Sequence, residues 1–265
     1  MVLPAPVRDV TESLAEAASL LRLKVPELNR IVGAGQPVPL TRLPTQEEAT
    51  LVENKLRSFG IESVTVPNEA LRLEVAARKI RGLEVANDSL TASTVGSGEE
   101  LSARWEEVLL IISGRLVMNR IEVEERKRRG RKQMVDSRQL SADESVLDLY
   151  SASDEAGWRI NANSFDFSCL GSMKSVTSFE NFTALINLLR ERATMAQFDE
   201  SYLQARPALA TVWPLEQQTR KGDWRRSGAG KFDLATVTTT DNETQFTRYS
   251  RLRHQLRLRD LADGR

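Results

Sequence analysis

The chain is short of the residues on which much enzyme chemistry is built. Its 265 residues include one cysteine and one histidine. A single cysteine, Cys169, excludes an intramolecular disulfide and suits a reducing compartment. It sits in FDFSCL (165–170), where it reads as an inert, buried strand thiol. With one cysteine and one histidine, a zinc site built from those ligands is excluded. His254 stands among Arg251, Arg253 and Arg257 and reads as a surface residue, whereas a Ser-His-Asp triad needs a buried, carboxylate-oriented imidazole. No Gly-x-Ser-x-Gly elbow occurs. Carboxylates such as Asp148 and Asp166 are the acid–base candidates left, and spacing alone selects no pair among them.

Long apolar runs are absent too. The longest, Val108 to Ile112, is far shorter than the roughly 20 residues of a membrane span. The first thirty residues carry no apolar stretch ahead of a small-residue cleavage site, so the expected location is the cytoplasm, in a protein of bacterial style. An excess of either charge is missing as well. The 37 basic and 37 acidic side chains cancel, which excludes a surface coated for nucleic acid and leaves room only for a local basic patch. Hydrophobic residues at 40% and charged residues at 28% are ordinary globular values, which argues against global disorder.

The N-terminal third reads as alternating helices. Ser13 to Leu23 has apolar residues at helical spacing, and Val25-Pro26 breaks it. Pro26 then suits the first turn of a second helix, PELNRIV, ending at Gly33-Ala34-Gly35. In PTQEEATLVENKLRSFG (44–60), Thr45 and Glu48 form a capping box, Ala49, Val52, Leu56 and Phe59 share a face, and Gly60 supplies the stop. Ile61 to Val66 alternates as a strand closed by Pro67. This order, carried by LLRLKVPELNRIV and TQEEATLVENKLRSFGIESVTV, resembles the C-terminal domain of the ribosomal stalk protein, a fold shared with the adaptor of the Clp protease. The resemblance covers residues 8–67. It implies a small α/β module that docks proteins or peptides, with a ferredoxin-like sandwich as the competing fold. The family's glycine- and lysine-rich first turn is replaced here by Leu21 to Pro26, so translation-factor binding does not carry over.

After a connector at 68–79 the texture becomes β-rich. Short runs are separated by turn signals at Asn87-Asp88, Gly96-Ser97-Gly98, Ser113-Gly114 and Glu155-Ala156-Gly157. Thr177-Ser178-Phe179-Glu180 is a second capping box, and Phe179, Phe182, Leu185, Ile186 and Leu189 make an apolar stripe. Strands of a small barrel followed by one amphipathic helix resemble a pleckstrin-homology-like domain over residues 80–194. Trp105, Trp158, Phe165 and Phe167 read as its core filler. Residues 195–265 form a helical and irregular extension: a helix over 198–215 interrupted by Pro207, a loop at 220–231, a strand near 237–240, and a basic helix or frayed tail over 247–261. The expected fold is therefore α+β: an α/β module, a pleckstrin-homology-like barrel with a capping helix, and this extension.

Two glycine-rich stretches fail as phosphate loops. In SGAGKF (227–232) Arg225 occupies the first glycine position of a Walker loop and Phe232 the hydroxyl position. STVGSGEEL (93–101) lacks a third glycine and a following helix, and reads as a hairpin. What remains is the run EERKRRGRKQ (124–133), in which Arg126, Lys127, Arg128, Arg129, Arg131 and Lys132 surround Gly130. It falls between two expected strands, behind Glu122, Glu124 and Glu125. Two readings stay open: a solvated hairpin tip, or a site for an anionic partner such as nucleic acid or an acidic lipid headgroup. With no cofactor or metal implied, the expected function is a non-enzymatic binding or adaptor protein with a protein partner. The alternative is an anionic-ligand binder that uses the six cations.

Overall fold

A computed structural model describes residues 2–4, 14–33, 36–128, 131–222, 225–228 and 231–264. The chain is α+β, with helices beside a large, mixed, barrel-like sheet. It divides into two compact units, neither continuous in sequence. Unit 1 holds residues 1–115, 145–214 and 245–265; unit 2 holds 116–144 and 215–244.

Unit 1 begins with the helices read from sequence. Strand β1 (Val2–Pro4) pairs antiparallel with β2 (Ser63–Thr65), and between them lie α1 (Leu14–Leu20), α2 (Val25–Val32) and α3 (Gln46–Ser58). The Thr45 hydroxyl accepts the Glu48 amide at 3.2 Å, filling one of the orphan donors of the first turn. Gly60 takes the left-handed conformation (φ 75°) that ends α3. Ser13, Ala34 and Gly35, parts of the expected helix boundaries, lie outside the described residues. The connector is ordered: Leu71 is buried in a 3-10 turn, and the Val75 carbonyl accepts Arg251 Nη2 at 3.0 Å. Gln36 Nε2 likewise donates to the Ser201 carbonyl.

The sheet of unit 1 is built from β3 (Arg78–Val85), β4 (Ser89–Thr94), β5 (Glu100–Arg104), the first part of β6 (Val108–Arg128), the second part of β7 (Arg131–Ser151), and β8 (Asp154–Asn161). The strand order is β6-β7-β8-β3-β4-β5, with β9 (Gln197–Asp199) parallel beside β6. Asn87-Asp88 and Gly96-Ser97-Gly98 are turns, as read. Trp105, Trp158, Phe165 and Phe167 are core residues, as expected. Helix α4 (Ser178–Arg192) is capped by Thr177 and sends Phe182, Leu185, Leu188 and Leu189 into that core. Phe179, expected on the same stripe, is 68% exposed, because its position in the first turn falls off the buried face.

Several expectations are corrected here; Glu155-Ala156-Gly157, read as a turn, lies inside β8. Ser113-Gly114 is not a turn: Val108–Arg128 is one strand of 21 residues. Gly114 is required by close approach, since a Cβ there would stand 2.5 Å from Phe246 and 3.0 Å from Tyr202. FDFSCL is not a strand: Phe167–Met173 forms 3-10 turns, started by Asp166 accepting the Ser168 amide. Cys169 is half-buried against the core rather than enclosed in it. Of the two readings of the C-terminal segment, helix or frayed tail, the structure has the helix, α6 (Glu243–Ala262), following α5 (Tyr202–Val212). Phe246, Tyr249, Ser250, Arg251, Leu252 and His254 of α6 are all buried.

Unit 2 is an antiparallel sheet ordered β10-β12-β6-β7, with β11 also paired to β12. Its new strands are β10 (Glu216–Lys221), β11 (Arg225–Gly228) and β12 (Lys231–Asp241), where a loop and a four-residue strand were expected. Among its described side chains only Leu234 and Asn242 are buried.

Candidate functional site

The basic run is split between two strands. Arg126, Lys127 and Arg128 end β6, while Arg131 and Lys132 begin β7; Arg129 and Gly130 lie outside the described residues. The strand register brings further cations beside them. On β12, Lys231 stands opposite Arg128, Phe232 opposite Lys127, and Asp233 opposite Arg126. On β11, Arg225 stands opposite Asp233 and Arg226 opposite Phe232. Because β12 starts where β6 ends, the start of β7 and the end of β11 lie at the same end of the sheet. Two charge clusters almost a hundred residues apart therefore converge on four adjacent strands. A single carboxylate, Asp233, is placed between Arg126 and Arg225 in the register. Glu125 and Glu124 stand one and two residues further back, opposite Leu234 and Ala235.

Sequence reasoning had Arg225 and Arg226 in a loop with no fixed relation to the run. The signal that places them is the alternation in KFDLATVTTT, which makes β12, the strand that β11 pairs with. The C-terminal arginines belong to α6 in unit 1.

The other polar concentration is buried, around α6. Asp148 receives Arg159 in a bidentate pair, Nε at 2.7 Å and Nη2 at 2.8 Å, with both side chains almost fully enclosed. Ser250 donates to Asp148 at 2.6 Å. Its one proton is thereby used, so the Tyr150 hydroxyl donates to Ser250 at 2.8 Å. Burial, with the Asp148 charge beside it, pushes the Tyr150 phenol far above its ordinary value. A second centre forms at Asp199, which accepts Arg253 Nε at 2.6 Å and the Tyr249 hydroxyl at 3.0 Å. The Tyr249 phenol is raised for the same reasons, burial first and the Asp199 charge second.

His254 is in this region and not on the surface. Its ring stacks on Tyr150 at 4.2 Å between centroids and is 1% exposed. Its Nε2 has no hydrogen-bond partner. Desolvation, and then the Arg251 charge, lower its pKa to about 4. The imidazole is neutral at pH 7 and faces no nucleophile–acid arrangement of the triad kind. Asp148 and Asp166 each have their own partners. Asp166 is held ionised by the Ser168 hydroxyl (2.6 Å) and amide, which lower its pKa. Burial raises the Cys169 pKa, so the thiol is protonated at neutral pH.

Two cavities open on unit 1. One, of about 200 Å³, lies at the start of α3 between Arg42, Thr45, Val66 and Trp213. The other, of about 210 Å³, lies over Gly82 between Glu84, Ser93, Glu100 and Asp166. Among the described residues no three His, Cys, Asp or Glu side chains are grouped to hold a metal ion. No helix among them is long and apolar enough to cross a membrane. Comparison with protein-family models, curated proteins and solved structures gives no match to this chain.

Proposed function

We propose that this is a non-enzymatic, cytoplasmic binding protein that holds a polyanionic partner at the basic end of unit 2. The observation that carries the reading is the register: Arg225, Arg226 and Lys231 share four adjacent strands with Arg126, Lys127, Arg128, Arg131 and Lys132. Concentrated cations on a chain of balanced charge favour local anion capture over general coating. Buried Asp148 and Asp199 of unit 1 are tied up in ion pairs with Arg159 and Arg253, which favours binding over catalysis at those carboxylates. The test is retention on immobilised heparin at low salt. Wild-type protein is expected to bind and to elute with rising salt. A variant with Arg126, Lys127, Arg128, Arg131 and Lys132 changed to Ser is expected to flow through. Equal retention of the two would defeat the reading.

A protein partner is the second reading, favoured by β5. It ends the strand order of unit 1, and such an edge leaves backbone donors and acceptors open to an added strand. Capture of a partner that survives high salt, and is lost on a proline substitution at Ser102, would support it.

A further inference from the structure

We infer that the open edge of β7 in unit 2 is a pairing surface for a second copy of this chain, antiparallel and centred on Ser137; the inference is independent of the polyanion reading. Strand β8 pairs with β7 only over Val146–Ser151. Among the described residues no strand pairs with that side of β7 over 131–144. This edge is far longer than those of β5 and β10, which have five and six residues. Natural edges are blunted by proline, by lysine or by a bulge. Residues 133–144 contain no proline, lysine or glycine, and Met134 and Leu140 stand 65% and 56% exposed there.

The backbone fixes which residues present their polar groups to the open side. The Ser145 carbonyl accepts the Ala162 amide at 3.0 Å, on the side of β8. Backbone groups alternate sides along a strand, so the odd-numbered residues back to Ser137 present theirs to that same side. In agreement, the Ser137 amide donates to the neighbouring Asp136 carboxylate at 2.8 Å, which leaves it out of the ladder with β6. Two antiparallel copies bond only where facing residues both present outward groups, so the two-fold axis must pass through a residue. With the axis at Ser137, Asp136 faces Arg138 of the second copy and Met134 faces its Leu140, each pair formed twice by symmetry. These are the non-hydrogen-bonded positions, where side chains stand closest, and as alternate residues they share one face of the sheet. Asp136 and Arg138 already meet along the strand at 3.2 Å, with both side chains exposed, so the dimer joins four charges in one network. Moving the axis one residue either way sets Asp136 against Asp136 or Arg138 against Arg138, and opposed like charges are destabilising. The charge pattern selects one register and one occupant, a chain of the same sequence.

The full-length chain is followed by sedimentation velocity at low salt. An interface made of one strand edge is small, so a species of twice the chain mass is expected to form at about 1–100 µM. Asp136→Arg alone and Arg138→Asp alone each set like charges opposite one another and are expected to weaken association at least ~10-fold. An equal mixture of the two variants re-creates opposite charges at every facing position and is expected to dimerise as the wild type does. Ser137→Cys, made together with Cys169→Ser, tests the axis without changing charge. Its two Cα atoms would stand about 5.5 Å apart, within disulfide reach, so mild oxidation is expected to give a covalent dimer. Ser141→Cys in the same background, remote from the axis, is expected to stay uncrosslinked. A wild-type chain still monomeric at about 100 µM overturns the inference. So does a dimer equally strong in Asp136→Arg, a mixture of the folded variants that remains monomeric, or a Ser137→Cys crosslink no stronger than that of Ser141→Cys.

Discussion

Strand β6 passes through both units, and its two parts obey different rules. In unit 1, Val108, Leu110, Ile111 and Ile112 are buried. Consecutive burial means that both faces of the strand are covered, and the sequence there is a continuous apolar run. In unit 2 the same strand becomes RLVMNRIEVEERKR, and Met118 and Ile121 are 47% and 39% exposed. Strand β7 repeats the contrast in reverse, from an exposed Met134 and Leu140 to Val146, Leu147, Asp148, Leu149 and Tyr150, all buried. Unit 1 thus carries the hydrophobic core, and unit 2 carries ladders, charge and little burial. Unit 1 is expected to answer mutation with loss of stability, and unit 2 with loss of binding.

The largest break should come at the ion pair in unit 1. Changing Arg159 to Met leaves Asp148 enclosed without its counter-charge, and is expected to cost about 3–5 kcal/mol in chemical denaturation. A loss below 1 kcal/mol would mean that water reaches the pair.

Next is acid sensitivity through His254. Its folded-state pKa, about 4, lies below the ordinary value of 6.5, so the unfolded chain takes up the proton first. The stability from keeping the ring neutral is complete above pH 6.5 and is lost as pH falls towards 4. Roughly 3 kcal/mol is at stake over that window. Changing His254 to Phe, which keeps the stack on Tyr150, should remove that part of the pH dependence. Identical stability–pH curves for the two proteins would show that the ring is not held neutral.

Gly114 sharpens the comparison within β6 itself. Changing it to Ala drives a methyl group into the Phe246 ring and should cost about 1–3 kcal/mol by overpacking. Gly222, on the unit 2 side, has only a backbone oxygen 3.3 Å from its would-be Cβ, and Ala there should cost less. Melting temperatures of the two variants check the order.

The smallest effect on stability is expected at the basic end. Serine at Arg131, Lys132, Arg225 and Arg226 should shift stability by no more than about 0.5 kcal/mol each. A marked drop in melting temperature would place these residues in the structural ledger of unit 2, against the division drawn above.

The legible parts of the sequence were those in which local chemistry decides. Thr45 and Thr177 cap their helices because a hydroxyl three residues before an amide satisfies it wherever the chain goes. Gly60, Gly96 and Gly98 take positive φ because little else does so without strain. The α+β class and the aromatic core follow from periods of hydrophobicity that are local as well. The basic run was visible as charge, and its place at a strand connection as pattern.

What only the tertiary structure decided depends on partners far along the chain. Ser-Gly at 113–114 has the composition of a turn, yet a ring from α6 needs that space, so the strand continues. Helix α6 is rich in arginine and reads as surface. It is buried because Asp148, Asp199 and the Val75 carbonyl, remote in sequence, supply the acceptors that its hydroxyls and arginines need. His254 is enclosed for want of any local sign, by stacking on a tyrosine more than a hundred residues away. The two arginine clusters come onto adjacent strands only through the ladder between β12 and β6. Composition set which groups could pair. Register and burial, which no short window of sequence contains, chose the pairs.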